Sequence, residues 1–413
     1  MQGLCRIRPK EKKPEERLSI NEMSAKIIDF FKKEAVLCIA LFLAVVSSFV
    51  ILPDKEYLGY IDFHTLAILF CLMSVMAGLQ KLGVFGVIAG KLLGKVNGVR
   101  PLCMILVLLC FFFSMFITND VALITFVPFA FTVLGLLGEE KQRALTIPVV
   151  VLQTVAANLG SMLTPIGNPQ NLYLYGKSGI SLGSFLALML PYTVISLVLL
   201  LVCCLCVGGN RKSAAGGDSQ AAGDLQVSLP EQQGLGGSPL TLAAYLALFV
   251  LCLLSVAHVL SVWVVFAVVL VVQVLLDKSV LKKVDYSLLL TFVGFFVFIG
   301  NMGRVPAFSA FLQNIIEGNE VITAVVSSQA ISNVPAALLL SCFTENYSAL
   351  IIGTNLGGLG TLIASMASLI SYKYISKESD KGVIGTKGKY MAVFTLANVA
   401  FLAVLLGTYF VIA

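Results

Sequence analysis

From residue 36 onward the chain is a succession of apolar runs near the length of a bilayer crossing, and two of them carry a polar break at their centre. A helix needs roughly 20 apolar residues to cross about 30 Å of hydrocarbon. The runs lack the two-residue alternation of a transmembrane barrel. Composition agrees with this reading, because the chain is 58% hydrophobic and only 12% charged. Soluble domains carry roughly a quarter charged residues. With mean hydropathy at +0.95, too few polar side chains remain to cover a water-soluble surface. The expected fold class is an all-α integral membrane protein, multi-pass in the cell membrane.

Nine segments can span: 36–53, 61–81, 145–172, 182–207, 239–257, 259–276, 288–304, 348–371 and 390–412. Two others behave differently. Residues 101–137 are too long for one crossing, since a helix of that length reaches about 55 Å, and they hold Thr118-Asn119-Asp120 at the middle. Residues 321–343 hold Ser332-Asn333-Val334-Pro335. Each reads as a re-entrant hairpin, the first over 101–137 and the second over about 306–343. Non-helical backbone at membrane depth is tolerated only where it is buried in protein or lines a cavity. With both segments as hairpins, 25 of the 28 Lys and Arg residues fall on the cytoplasmic side, leaving Lys55, Lys177 and Arg304 outside. If both crossed fully, the division would be 20 and 8. The excess of positive charge inside favours the hairpins.

This topology puts the N-terminus in the cytoplasm and the C-terminus outside. Residues 1–35 form a basic cytoplasmic segment, not a signal peptide, because some 33 residues precede the first apolar run. In it, Ser19-Ile20-Asn21-Glu22 fits a capping box, and Ile27, Ile28, Phe30 and Phe31 among lysines suit a helix lying on an anionic membrane face. A solvated basic tail is the plainer alternative. Residues 208–238, rich in Gly, Ser, Ala and Gln, read as a flexible cytoplasmic linker between a first repeat at 36–207 and a second at 239–413. Most cysteines sit in apolar runs, where they act as small hydrophobes. Cys203, Cys204 and Cys206 have no matching thiols elsewhere and read as apolar filling, not a soft-metal site. His64 and His258 lie near segment ends and face the interface. Lys81 and Arg304 extend from helix ends toward water.

The halves match at three anchors. Ile61-Asp62-Phe63 corresponds to Val284-Asp285-Tyr286, and at the same offset Lys81 corresponds to Arg304. Thr118-Asn119-Asp120-Val121-Ala122 corresponds to Ser332-Asn333-Val334-Pro335-Ala336, and Asn158-Leu159-Gly160 to Asn355-Leu356-Gly357. The charge assignment gives the copies opposite orientation, which is the inverted repeat of many secondary transporters.

Transport would rest on the polar interruptions. Ala157 to Asn171 interrupts an apolar span with two glycines, two prolines, three asparagines and a threonine. Such a span should unwind near mid-membrane, because proline removes a helix donor and glycine relaxes the backbone. Freed carbonyls can hold a small cation, and the N-terminus of the resuming helix attracts an anion. Thr354-Asn355-Leu356-Gly357-Gly358-Leu359-Gly360-Thr361 repeats the scheme; a glycine packing seam would account for Gly357-Gly358 alone. Of 22 acidic residues, Asp120 alone lies deep in an apolar segment. Such a carboxylate is costly unless protonated or paired, and no Lys or Arg lies at its depth, so a proton or a sodium ion is the expected partner. Substrate-binding candidates are Thr118, Asn119, Asn168, Pro169, Asn171, Ser332, Asn333 and Thr361. Candidates for cation binding or coupling are Asp120, Ala157, Asn158, Gly160, Thr164, Thr354, Asn355 and Gly357. No nucleotide-binding glycine loop, metal-ligand cluster or nucleophile constellation appears in the sequence, so there is no case for an ATP-driven pump or an intramembrane enzyme. No cofactor beyond sodium, and no nucleic-acid partner, is expected.

These motifs resemble the ion transporter superfamily, which includes citrate-transporter-like permeases, divalent-anion/sodium symporters, sodium/proton antiporters and arsenite-efflux permeases. The resemblance covers most of the chain from about residue 36. It implies a scaffold domain, a transport domain with two opposed hairpins, elevator-type movement and a homodimer. In the dicarboxylate symporters both hairpin tips carry Ser-Asn-Thr, which helps bind sodium and carboxylate. Here both tips depart at the third position, as Asp120 and Val334. The Asn-Asp pair is closer to the arsenite-efflux branch, whereas Thr164 to Asn171 is closer to the citrate-type permeases. The function expected is secondary active transport of small anions, foremost di- or tricarboxylates such as citrate, coupled to sodium or protons. Efflux of arsenite or a related oxyanion, and sodium/proton exchange at Asp120, are the alternatives.

Overall fold

In the computed structural model the described residues are 34–94, 96, 98–207, 236–382 and 384–412. The expectations for the basic N-terminal segment, capping box included, and for nearly all of the linker lie outside them. The first half runs α1 (Ala35–Val50), the single turn α2 (Tyr57–Tyr60), α3 (Phe63–Lys81), α4 (Val84–Leu93), α5 (Val99–Phe113), α6 (Asn119–Gly135), α7 (Glu139–Ser161), α8 (Pro169–Ser178) and α9 (Leu182–Cys206). The second runs α10 (Pro239–Val256), α11 (Val262–Leu276), α12 (Tyr286–Gly303), α13 (Pro306–Ile316), α14 (Glu320–Ile331), α15 (Asn333–Leu340), α16 (Tyr347–Leu356), α17 (Met366–Asp380) and α18 (Lys387–Ile412).

The breaks follow the punctuation of the sequence. The 101–137 run divides between α5 and α6 at residues 114–118, and the 145–172 run divides between α7 and α8. A 3-10 turn, Pro165–Gly167, separates the latter pair, and Pro169 opens α8 at a position that needs no donor. Gly360 holds φ +114 in the break between α16 and α17, a value that residues bearing a Cβ avoid. Among the described residues, six helices are long and apolar enough to cross a membrane: α3, α7, α9, α10, α12 and α18. The expected spans 36–53 and 259–276 are helical over only 16 and 15 residues. Pro53 disfavours helix just before it, and α11 reaches the expected end at Leu276 but starts only after its N-cap Ser261. The short helices α4 and α13 occupy equivalent places in the two halves. The second falls inside the interval read as the second hairpin, whose arms begin only at Glu320.

Helix α7 forms the centre, with 89% of its apolar window buried, against 22% for α18 and 28% for α10. The outward apolar faces of α9, α10, α11 and α18 are those expected against lipid. Each half packs early helices on the other: α1 packs on α12, and its equivalent α11, together with α10, packs on α3. Asp62 caps α3 by accepting from the Thr65 amide at 3.0 Å, and Asp285 caps α12 by accepting from Leu288 at 3.0 Å. At the far ends of these helices, Lys81 pairs with Asp277 at 2.5 Å and Arg304 with Asp54 at 2.6 Å. Asp54 and Asp277 stand as far apart in sequence as Lys81 and Arg304, so the two ion pairs are equivalents. These basic side chains therefore do not extend alone. Lys81 also donates to Ser279, and the hydrogen bonds that Asp277 accepts from Lys81 and Ser279 hold its pKa down to about 2.

Candidate functional site

Four helices begin at one small cavity. Its lining holds Asn119 and Asp120 from the first turn of α6, and Asn333 and Val334 from that of α15. Asn168, Pro169 and Gln170 come from the start of α8, and Ser365 and Met366 from the start of α17; Leu288 of α12 completes it. Asn119 and Asn333 are equivalent under the hairpin alignment, and Asn168 and Ser365 under the alignment of the broken helices. The cavity is thus built from matching positions of both halves. Its free volume is about 10 Å³, near the minimum that holds one water.

The convergence has an electrostatic consequence. Each helix N-terminus carries the equivalent of roughly half a positive charge, even where a first-turn N–H is already bonded, as those of Asp120, Asn333 and Ala367 are. Four together supply about two charges, and no lining residue is Lys, Arg or His. Asp120 sits among them as the single carboxylate, and its Oδ1 is buried without a protein partner.

Behind the cavity, amide side chains tie the halves together. Asn158 of α7 accepts from Asn119 Nδ2 at 3.0 Å and from Ser365 Oγ at 2.9 Å, and donates to the Gly358 carbonyl at 3.4 Å. Its equivalent in α16, Asn355, donates to Asn171 Oδ1 at 2.6 Å and accepts from Asn168 Nδ2 at 3.5 Å. Asn168 also donates to Ser161 Oγ at 2.7 Å. The second tip is held by the Asn333 amide, which donates to the Ala364 carbonyl at 3.0 Å. There Ser332 adopts φ 75 and ψ 155, a region in which non-glycine residues are strained and which clusters at functional sites.

Of the sequence candidates, Asn119, Asp120, Asn168, Pro169 and Asn333 line the cavity. Thr118 and Ser332 are the N-cap residues directly before its two tips. Asn158, Asn171 and Asn355 belong to the supporting network. The hydroxyls of Thr164, Thr354 and Thr361 donate to the carbonyls of Met115, Leu350 and Gln329. Thr361 is exposed and does not line the cavity, and Ala157 is buried in α7. Gly160 and Gly357 permit close packing: a Cβ would stand 2.0 Å from the Phe111 carbonyl oxygen at the first and 2.6 Å from Ser328 Oγ at the second. The Gly357 carbonyl is taken up by Gln329 Nε2 at 3.0 Å. Sequence reasoning missed Gln170, Ser365, Met366 and Leu288. Extending the broken-helix alignment by a few residues finds Ser365 opposite Asn168.

The sequence matches the family described as citrate transporter over residues 23–346. It is 33% identical to the inner membrane protein YbiR of Escherichia coli over 334 residues, covering 79% of this chain and 84% of that one. An uncharacterised transporter of Methanocaldococcus jannaschii is 30% identical over 330 residues, 78% of this chain and 84% of its own. The silicon efflux transporter LSI3 of Oryza sativa subsp. japonica is 32% identical over 185 residues, 44% of this chain and 37% of its own.

Proposed function

Because this chain belongs to the citrate transporter family, we propose that it is a secondary active transporter of small anions, foremost di- or tricarboxylates, coupled to sodium or protons at Asp120. The observation that carries this reading is the meeting of four helix N-termini at one cavity without a basic side chain. About two equivalents of positive potential suit a dicarboxylate, or a smaller anion together with ionised Asp120. When Asp120 takes up a proton or a sodium ion, its repulsion of the anion is removed. Each ligand then favours the other by the same free energy, which is the coupling that symport needs.

Two re-entrant pairs, α5–α6 and α14–α15, present their tips to the cavity from opposite faces. The N-terminus lies in the cytoplasm, with the Lys81–Asp277 pair on that side and Arg304–Asp54 on the other. Each ion pair joins segments that the charge count independently puts on one face. A carboxylate exceeds the free volume of the cavity, so access requires a tip to part from the start of α8 or α17. An elevator-type movement of the two hairpins and broken helices against the frame, in a homodimer, completes the proposal.

Export of an uncharged or weakly acidic oxyacid is the second reading. The side-chain amide of Gln170 favours it, since its Nε2 and Oε1, both without a protein partner, offer a hydroxyl group a donor and an acceptor. Charge separates the two. Citrate or malate should raise the melting temperature of the purified protein, more so with sodium or at lower pH, and malamide, the uncharged diamide of malate, should not. Equal stabilisation by malamide, or none by either carboxylate, rejects the anion reading.

A further inference from the structure

Gln170 is 1% exposed, and both Oε1 and Nε2 are buried without a partner in the protein. Other buried amides differ. Gln153 spends Nε2 on the carbonyls of Leu106 and Phe126, Gln273 on Ser74, and Asn301 on Ser47, each leaving only its oxygen unpaired. Among the described residues Gln170 alone leaves both ends unpaired. Burying an amide this way is costly, and buried polar groups are rarely left so. Gln170 lines the same cavity as Asp120. Its equivalent under the broken-helix alignment is Ala367, and that of Asp120 is Val334, so the two functions that break the symmetry of the cavity both come from the first half.

Resting on the carboxylate reading above, we propose that Gln170 is the specificity-determining residue that selects a hydroxycarboxylate over the matching carboxylate without the hydroxyl. A carboxylate offers acceptors only. It can take the Nε2–H groups and the helix N–H groups but leaves Gln170 Oε1 unpaired. A solute with a hydroxyl beside its carboxylate satisfies both ends of the one amide, whichever way the amide is turned. A site built to bond a hydroxyl rejects the analogue lacking it because its own polar atom is then stranded. The one-sided placement of Gln170 also orients an asymmetric solute along the path between the tips.

The test compares two pairs that differ by a single hydroxyl, malate with succinate and citrate with tricarballylate, by thermal shift and by counterflow in proteoliposomes. The wild type should prefer the hydroxylated member of each pair by about tenfold or more. Gln170→Leu should bring both ratios close to one while leaving the ligand-free protein as stable as before or more so, since it removes two unpaired polar atoms. Gln170→Met serves as a second variant of different shape with the same expectation. Ratios near one in the wild type, or ratios unchanged in both variants, would overturn the role of Gln170 while leaving the transport reading intact. If the wild type responds to none of the four, the carboxylate reading fails, and this inference with it.

Discussion

Asn158 and Asn355 show how single side chains set the cavity. Each sits on a buried helix and ties its own half to the other. Their reach depends on helices packed so closely that only glycine fits between them. At Gly160 an added methyl would strike the Phe111 backbone, which cannot swing aside as a flexible side chain would. Gly160→Ala should therefore destabilise the protein by about 1–3 kcal/mol, read as a lower melting temperature. Gly303→Ala, where nothing lies within 4 Å, should change it by no more than about 0.5 kcal/mol. Equal effects at the two positions would mean that the α5–α7 contact is looser than described. Asp120, Asn119, Asn168 and Asn333 were legible in the sequence because a polar residue inside an apolar run has few physical excuses. Thr354 and Thr361 were not, because a threonine hydroxyl can satisfy itself on a nearby carbonyl and composition does not reveal which one. Gln170 was hidden differently, since beside three asparagines its amide read as part of the break, and only its unpaired atoms set it apart.

At the scale of elements, the division of 101–137 into two helices was legible because length and a polar middle together forbid one straight crossing, and that of 321–343 from its polar middle alone. The connecting helices α4 and α13 were not, since ten or eleven mildly apolar residues fit a loop or an interfacial helix equally. Sidedness follows from the hairpin reading. A cysteine at Glu140 should react with an impermeant maleimide only from the cytoplasmic face, and one at Thr344 only from outside; labelling of both from one face would remove the inverted arrangement. The ion pairs at the helix ends carry a pH signature. The Asp277 carboxyl is held down to about 2, so the folded chain takes up that proton later than the unfolded chain does. Its stabilising effect is present above the ordinary value of about 4 and is lost as pH falls toward about 2. Lys81→Met should make the melting temperature fall less steeply across that window. An unchanged slope would mean that the pair adds nothing to stability, the common outcome for exposed pairs.

For the whole molecule, the organising fact is that several equivalences between the halves are also contacts between them. The equivalent helices α1 and α11 each pack on the other half, the equivalent ion pairs join the halves at two ends, and the amides of α7 and α16 lie behind one cavity. The correspondence between the halves was legible from three short anchors. Which helices exchange between halves was not, because it depends on packing that one strand of sequence leaves open. The most direct measurement joins the two tips chemically. In a background with the other cysteines replaced, Asp120→Cys and Val334→Cys are combined, a protease site is placed in the 208–238 linker, and membranes are treated with a short bifunctional thiol reagent before cleavage. The account predicts that the two halves stay covalently joined, and that saturating malate protects the cysteines from the reagent. Halves that separate cleanly after cleavage, with or without malate, would contradict a single cavity shared by both tips.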